Sequence, residues 1–206
     1  MKEMKEGRQM AEKSTKKRDF IIERSYAVFA KRGYTAVTMQ DIVSACEISR
    51  GGLYLYFTSI EEIFTAVIAA DIAGRGESGE ALPASASTSD ILALFMKEQK
   101  KEILRKKKSL LFAIYEYYFS LHITQVKLSA KDNFLKKQFE TAVLILENLI
   151  RDGVLAGEFF CDDPRSTATN IMYTIEGLKI TARTSGISEA AVDKQLIYIM
   201  QGLIIE

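Results

Sequence analysis

Apolar residues along this chain recur at spacings of three and four rather than alternating, the pattern of helices that each bury one face. Ile22, Tyr26 and Phe29, flanked by Ile21, Ser25 and Val28, mark such a face, and Gly33 stands where a left-handed helix end belongs. The pattern predicts a first helix over residues 16–32, with the charged, aperiodic residues 1–14 frayed ahead of it. Thr38, with Asp41 three residues on, reads as a capping box that opens a short second helix ending near Cys46. Ser49 caps a third through the backbone N–H of Gly52, and Leu53, Tyr54, Tyr56 and Phe57 supply its aromatic and aliphatic content. Ser59 with Glu62 opens a fourth, which runs through Ile63, Phe64, Val67 and Ile68.

Residues 74–89, GRGESGEALPASASTS, are rich in Gly, Ser and Ala and read as a long connection. Beyond it the periodicity predicts helices at 90–107, 109–125, 131–153, 165–184 and 189–204. Pro83 and Pro164 are the only prolines in 206 residues, and 48% of the chain is hydrophobic, so an all-α fold with a packed core follows. Disordered and collagen-like classes are excluded. The N-terminus lacks a signal-peptide core and no run of 18 apolar residues occurs, so a reduced, cytoplasmic protein without a membrane partner is expected. The net charge of +1 hides an asymmetry: residues 1–60 carry eleven Lys and Arg against seven Asp and Glu, whereas the rest carries seventeen against twenty. A slightly basic head on a slightly acidic body is compatible with an N-terminal nucleic-acid-binding module.

The second and third helices are joined by about three residues, and the first is long enough to pack across both, the arrangement of a helix-turn-helix. In such a unit the segment 49–57 lies in the DNA major groove with its N-terminal residues toward the base edges. The runs IIERSYAVFAKRGY (21–34) and TMQDIVSACEISRGGLYLYFTSIEEIF (38–64) resemble the TetR family of bacterial transcriptional regulators. That family places a threonine-capped helix, a tight turn, a Ser-x-Gly-x-Leu-Tyr-x-Tyr-Phe recognition helix and a Ser-x-x-Glu cap in this order. IRDGVLAGEFF (150–160) is similar to the helix end that precedes the family's last two helices.

The resemblance implies a role for each matching residue. Thr38 and Gln40 face the phosphate backbone, and Ser49 caps the recognition helix and meets a phosphate. Arg50, Gly52 and Leu55 are candidates for base contacts, Tyr54 and Tyr56 donate hydroxyls to phosphates, and Gly51 lets the backbone approach the DNA closely. The chemistry fits, because arginine bridges guanine O6 and N7 and leucine meets a thymine methyl. Three positions depart from the family pattern: Glu47 replaces the turn glycine, Gly52 a side chain that reads bases, and Ile60 a lysine.

In the body, Phe112, Tyr115, Tyr118, Phe119, Met172 and Tyr173 read either as core or, on the family's pattern, as the lining of a small-molecule pocket to which Glu116 or Glu176 adds charge. The stripes Ile171, Ile175, Leu178 and Leu196, Ile199, Met200, Leu203 fit a single core; the resemblance implies instead a symmetric four-helix interface between two copies. It divides the chain into a DNA-binding domain over residues 1–58 and an effector-binding and dimerisation domain over 59–206.

The basic run KKEILRKKK (100–108) reads as a solvated helix end. His122 is the only histidine, and Cys46 and Cys161 cannot complete a four-ligand site, so neither metal nor cofactor is expected. No nucleophilic or paired-carboxylate constellation stands out, and an enzyme is not expected. The reading that results is a ligand-responsive repressor that binds a palindromic operator as a homodimer. An activator, an effector-independent DNA-binding protein, and a ligand-binding protein whose head no longer binds DNA are the alternatives.

Overall fold

The computed structural model describes residues 2–75, 83, 85–105, 109–126 and 133–204. They form α1 (Lys2–Arg32), α2 (Met39–Cys46), α3 (Arg50–Tyr54), α4 (Ile60–Arg75), α5 (Thr88–Ile103), α6 (Leu111–Ile123), α7 (Phe134–Leu155), α8 (Pro164–Thr184) and α9 (Glu189–Gln201). The all-α expectation is met: the one extended pairing among these residues is an antiparallel bridge between Phe159 and Ile204. Half of the expected connection at 74–89 (residues 76–82 and 84) and the lysines at 106–108 lie outside the described residues, as do 131–132 of the helix expected at 131–153.

Helix α1 begins at Lys2, ahead of the start at residue 16 that the periodicity predicts. It is helical from Lys2 because Lys, Glu, Met, Gln and Ala, all good helix formers, dominate its first turns. Glu12 and Lys16, one turn apart, also pair at 3.0 Å.

The chain divides into two compact units, and the division does not fall at residue 58. The first holds α1–α4 and α6, and the second holds α5 and α7–α9. Aromatic packing explains why α4 and α6 go with the head. The ring of Phe64 on α4 lies 4.8 Å from both Phe29 and Tyr34, and Tyr117 on α6 lies 4.9 Å from Tyr34 and 5.4 Å from Phe64. Such edge-on and tilted contacts each add ~0.5–1.5 kcal/mol beyond area burial. Ile21, Phe29, Ile42, Leu53, Phe57 and Ile63 are buried with them.

In the second unit Leu92, Met96, Val143, Leu146 and Ile150 pack with Ala168, Met172 and Val192. Ile171, Ile175, Leu178, Leu196 and Leu203, expected at an interface between copies, belong to this same core, and Ile199 and Met200 pack against it. The apolar stripes of α8 and α9 are therefore filled by their own chain. The segment 150–160 ties the unit together. Gly153 is bare because a Cβ there would run into the Phe159 ring, and Gly157 ends α7 at φ 74°. The Glu158 carboxylate then accepts from Ser89 N–H at 2.8 Å and Thr88 N–H at 3.4 Å, which caps α5, while Phe160 N–H reaches the Leu203 carbonyl at 2.8 Å.

Candidate nucleic-acid interface

Helix α2 starts where the sequence places it. Thr38 Oγ1 accepts from Asp41 N–H at 3.3 Å, and the Asp41 carboxylate accepts from Thr38 N–H and hydroxyl at 2.8 and 2.7 Å. Arg32 pairs with the same carboxylate and donates to the Ala36 carbonyl at 2.9 Å. The Thr38 hydrogen bonds first, and then the guanidinium, hold the Asp41 carboxyl down at about 2. A carboxyl depressed in the fold stabilises it above the ordinary carboxylate range and loses that contribution as pH falls toward 2. The cap is therefore intact at neutral pH.

Between α2 and α3 the chain turns at Glu47, whose φ of 53° and ψ of 43° are left-handed. A side chain there costs about 1 kcal/mol relative to glycine. Glu47→Gly is accordingly expected to raise the melting temperature by about 2–4 °C. Calorimetry reads this directly, and an unchanged or lower midpoint refutes the strain.

Ser49 Oγ accepts from Gly52 N–H at 3.1 Å and starts α3 as expected. Leu53 and Phe57 turn inward and are fully buried, and the Arg18 guanidinium covers the Phe57 ring at 4.9 Å. Thr38, Gln40, Ser49, Arg50, Gly51, Tyr54 and Leu55 are all exposed, while Gly52 and Tyr56 are half-buried. Leu55 is 82% exposed, a large apolar side chain with little protein around it. The Arg50 guanidinium sits 5.7 Å from the Tyr54 ring centroid, a cation–π contact that restricts a long side chain in advance.

The two consecutive glycines differ. A Cβ at Gly51 would meet nothing within 4 Å, so nothing in the described fold requires glycine there. A Cβ at Gly52 would lie 3.1 Å from Ser49 Oγ, close enough to press on the capping hydroxyl. The caps Thr38–Asp41, Ser87–Asp90 and Ser188–Ala191 accommodate a Cβ at the same place, so the Ser49 cap alone does not require glycine at 52.

The residues expected around an effector fall into both units: Phe112, Tyr115, Tyr118 and Phe119 on α6, and Met172, Tyr173 and Glu176 on α8. Phe112 and Phe119 are exposed, Tyr118 meets Tyr117 edge-on at 5.3 Å, and Met172 is buried in the second core. Tyr173 stacks on Phe139 at 5.2 Å yet is 64% exposed, and Glu176 pairs with Lys179 at 2.8 Å. Two open clefts of about 450 and 430 Å³ lie against α1, one facing α4 and the other α2, and none of these seven residues lines either. Glu116 is engaged elsewhere. Its Oε2 accepts from Tyr34 N–H at 2.6 Å and Thr35 N–H at 3.2 Å, a contact that no local pattern signals. Among the described residues no helix is long and apolar enough to cross a membrane, and no cluster of His, Cys, Asp or Glu is placed to hold a metal ion.

Comparison with known proteins agrees with this geometry. A family model described as bacterial regulatory proteins, tetR family, matches residues 21–67, and one described as tetracyclin repressor-like, C-terminal domain, matches residues 91–193. The uncharacterized HTH-type transcriptional regulator YfiR of Bacillus subtilis (strain 168) is 28% identical over 156 residues, 76% of this chain and 74% of its own length. A TetR transcriptional regulator from Chloroflexus aurantiacus J-10-FL superposes with a TM-score of 0.71 at 19% identity, covering 95% of this chain and all of that one. AibR in complex with isovaleryl coenzyme A and operator DNA superposes with a TM-score of 0.60 at 18% identity, covering 87% and 96%. The two solved structures share the fold.

Proposed function

The chain belongs to the TetR family of bacterial transcriptional regulators, and from that premise we propose that it is a ligand-responsive repressor that binds a palindromic operator as a homodimer. Its activity is regulation of transcription through a helix-turn-helix, not catalysis. The observation that carries the DNA-binding assignment is the exposed face of the segment around α3, where Arg50 at its start and Tyr54 and Leu55 at its end stand outward, pinned by the buried Leu53 and Phe57. Arg50 and Leu55 read base edges; Thr38, Gln40, Ser49, Tyr54 and Tyr56 meet phosphates.

Dimerisation uses the outward faces of α8 and α9, since their inward stripes are already occupied. Tyr173, Gly177 and Ile180, spaced four and three apart, share one exposed face of α8, and Ile197 and Tyr198 are exposed on α9. A two-fold pairing of these faces presents two copies of α3 to half-sites about 34–36 Å apart, which is why the operator is palindromic. The fold neighbour AibR forms a complex with isovaleryl coenzyme A and operator DNA. That supports a reading in which this chain also answers to a small organic effector, with the exposed Phe112 and Phe119 of α6 in its path. Release requires only that the effector prefer the dimer arrangement with misplaced recognition helices.

Selection of bound fragments from random DNA tests the proposal: enrichment of a palindrome is expected, and salt-sensitive binding blind to sequence overturns it. Ile60, the first residue of α4, stands where a phosphate-binding lysine is usual. Ile60→Lys is expected to tighten binding to any duplex and to steepen log K against log salt by about 0.9 per protomer. An unchanged slope removes this position from the DNA surface.

A further inference from the structure

Gly33, Glu116 and the turn between α1 and α2 form a connection that the DNA-binding surface itself does not explain. The turn follows α1 at Gly33, whose φ of 80° is left-handed. Behind it the amides of Tyr34 and Thr35 both point at one oxygen of Glu116, which comes from α6, 82 and 81 residues away in sequence. A Cβ at Gly33 would collide with that carboxylate, so glycine is needed twice, for its backbone angle and for the space the carboxylate fills. Further along the turn the Arg32 guanidinium holds the Ala36 carbonyl and Asp41. The turn that delivers the chain to Thr38, the cap of α2, is thus gripped by one anion and one cation. The next residue of α6, Tyr117, donates its hydroxyl to Glu61 on α4 at 2.7 Å. Helix α6 therefore holds the helix-turn-helix at its entry through Glu116 and just beyond its exit through Tyr117.

We propose that Glu116 is a positioning residue for operator recognition: its carboxylate fixes the α1–α2 turn, and through it the placement of α2 and α3, and Gly33 is the residue that admits it. The inference rests on the regulator reading. Without this carboxylate, two backbone amides next to the first DNA-facing residues lose their acceptor. This role also removes Glu116 from the residues available to charge an effector site.

Full-length wild type, Glu116→Gln, Gly33→Ala and the double variant are compared by fluorescence anisotropy on the selected operator and on a scrambled duplex, and amide exchange is followed by NMR. Glu116→Gln is expected to lose about tenfold in operator affinity, as for removal of a charged hydrogen-bond acceptor, with a loss of no more than about threefold on the scrambled duplex. The Tyr34 and Thr35 amides exchange at least about tenfold faster in it, while Phe64 and Val67 amides keep their protection. Gly33→Ala weakens operator binding similarly, and the double variant is no worse than the weaker single one, because both changes break one interaction. Operator affinity within about twofold of wild type in Glu116→Gln, equal losses on both duplexes, or unchanged exchange at Tyr34 and Thr35 each overturn the proposal. If the wild-type chain selects no sequence at all, the regulator reading fails, and exchange at the two amides still decides whether Glu116 holds the turn.

Discussion

Replacing Ile180 and Ile197 together by glutamate is expected to yield a folded monomer whose operator affinity is about two to four powers of ten below that of the wild-type chain. Both residues are large, apolar and exposed, at 42% and 52%, so each chain tolerates the change on its own. A symmetric interface does not. Every substitution appears twice across a two-fold axis, and glutamates brought against a copy of the same apolar face lose water without gaining partners. With the dimer gone, each half-site is bound alone, and the gain from tethering two recognition helices disappears. Sedimentation velocity reads the mass, circular dichroism the retained helicity, and anisotropy the affinity. A double variant that remains dimeric at micromolar concentration places the interface on another face. The core residues Ile175 and Leu196 are unsuitable for this test, because polar replacements there unfold the second unit whatever the oligomer.

The head was legible in the sequence wherever a bond closes within four residues. Thr38 with Asp41, Ser49 with Gly52 and Ser59 with Glu62 are side chains that satisfy backbone amides one turn away, so spacing alone locates the starts of α2, α3 and α4. The inward direction of Leu53 and Phe57 follows from the same register. What covers a stripe does not follow. The periodicity of α8 and α9 marks an apolar face on each but is silent on whether the cover comes from the same chain or a second copy; here α7 packs on α8 and α5 on both, through Val143, Leu146 and Ile150 of α7 and Leu92 and Met96 of α5. Contacts across long sequence separation are equally invisible. Nothing around Glu116 announces that its carboxylate ends at Tyr34, and its place among aromatics suggested an effector contact instead.

Arg50→Ala is expected to abolish most of the discrimination between the selected operator and scrambled DNA while leaving the scrambled-duplex affinity nearly intact. Arg50 is the first residue of α3, exposed, with its guanidinium over the exposed Tyr54 ring. It buries little surface of its own, and Ser49 caps the helix without it, so the melting temperature changes little. A bidentate arginine–guanine pair contributes about 1–3 kcal/mol of discrimination, and a palindrome uses it twice, so the ratio of operator to scrambled affinity falls by about thirty-fold to ten-thousand-fold. Loss of one cation that reads bases rather than phosphates leaves the salt slope close to the wild-type value, changed by well under the ~0.9 per protomer of a lost phosphate contact. The variant's own selected sequence locates the contact, since degeneracy appears at one symmetric pair of positions and the flanking preferences persist. Tyr54→Phe is the complementary change. It keeps the ring under Arg50 and removes only the hydroxyl, so it weakens binding to all duplexes alike and leaves the selected sequence unchanged. If Arg50→Ala instead weakens operator and scrambled DNA equally, Arg50 is a phosphate contact and Leu55, just past the end of α3, is left as the side chain that reads sequence.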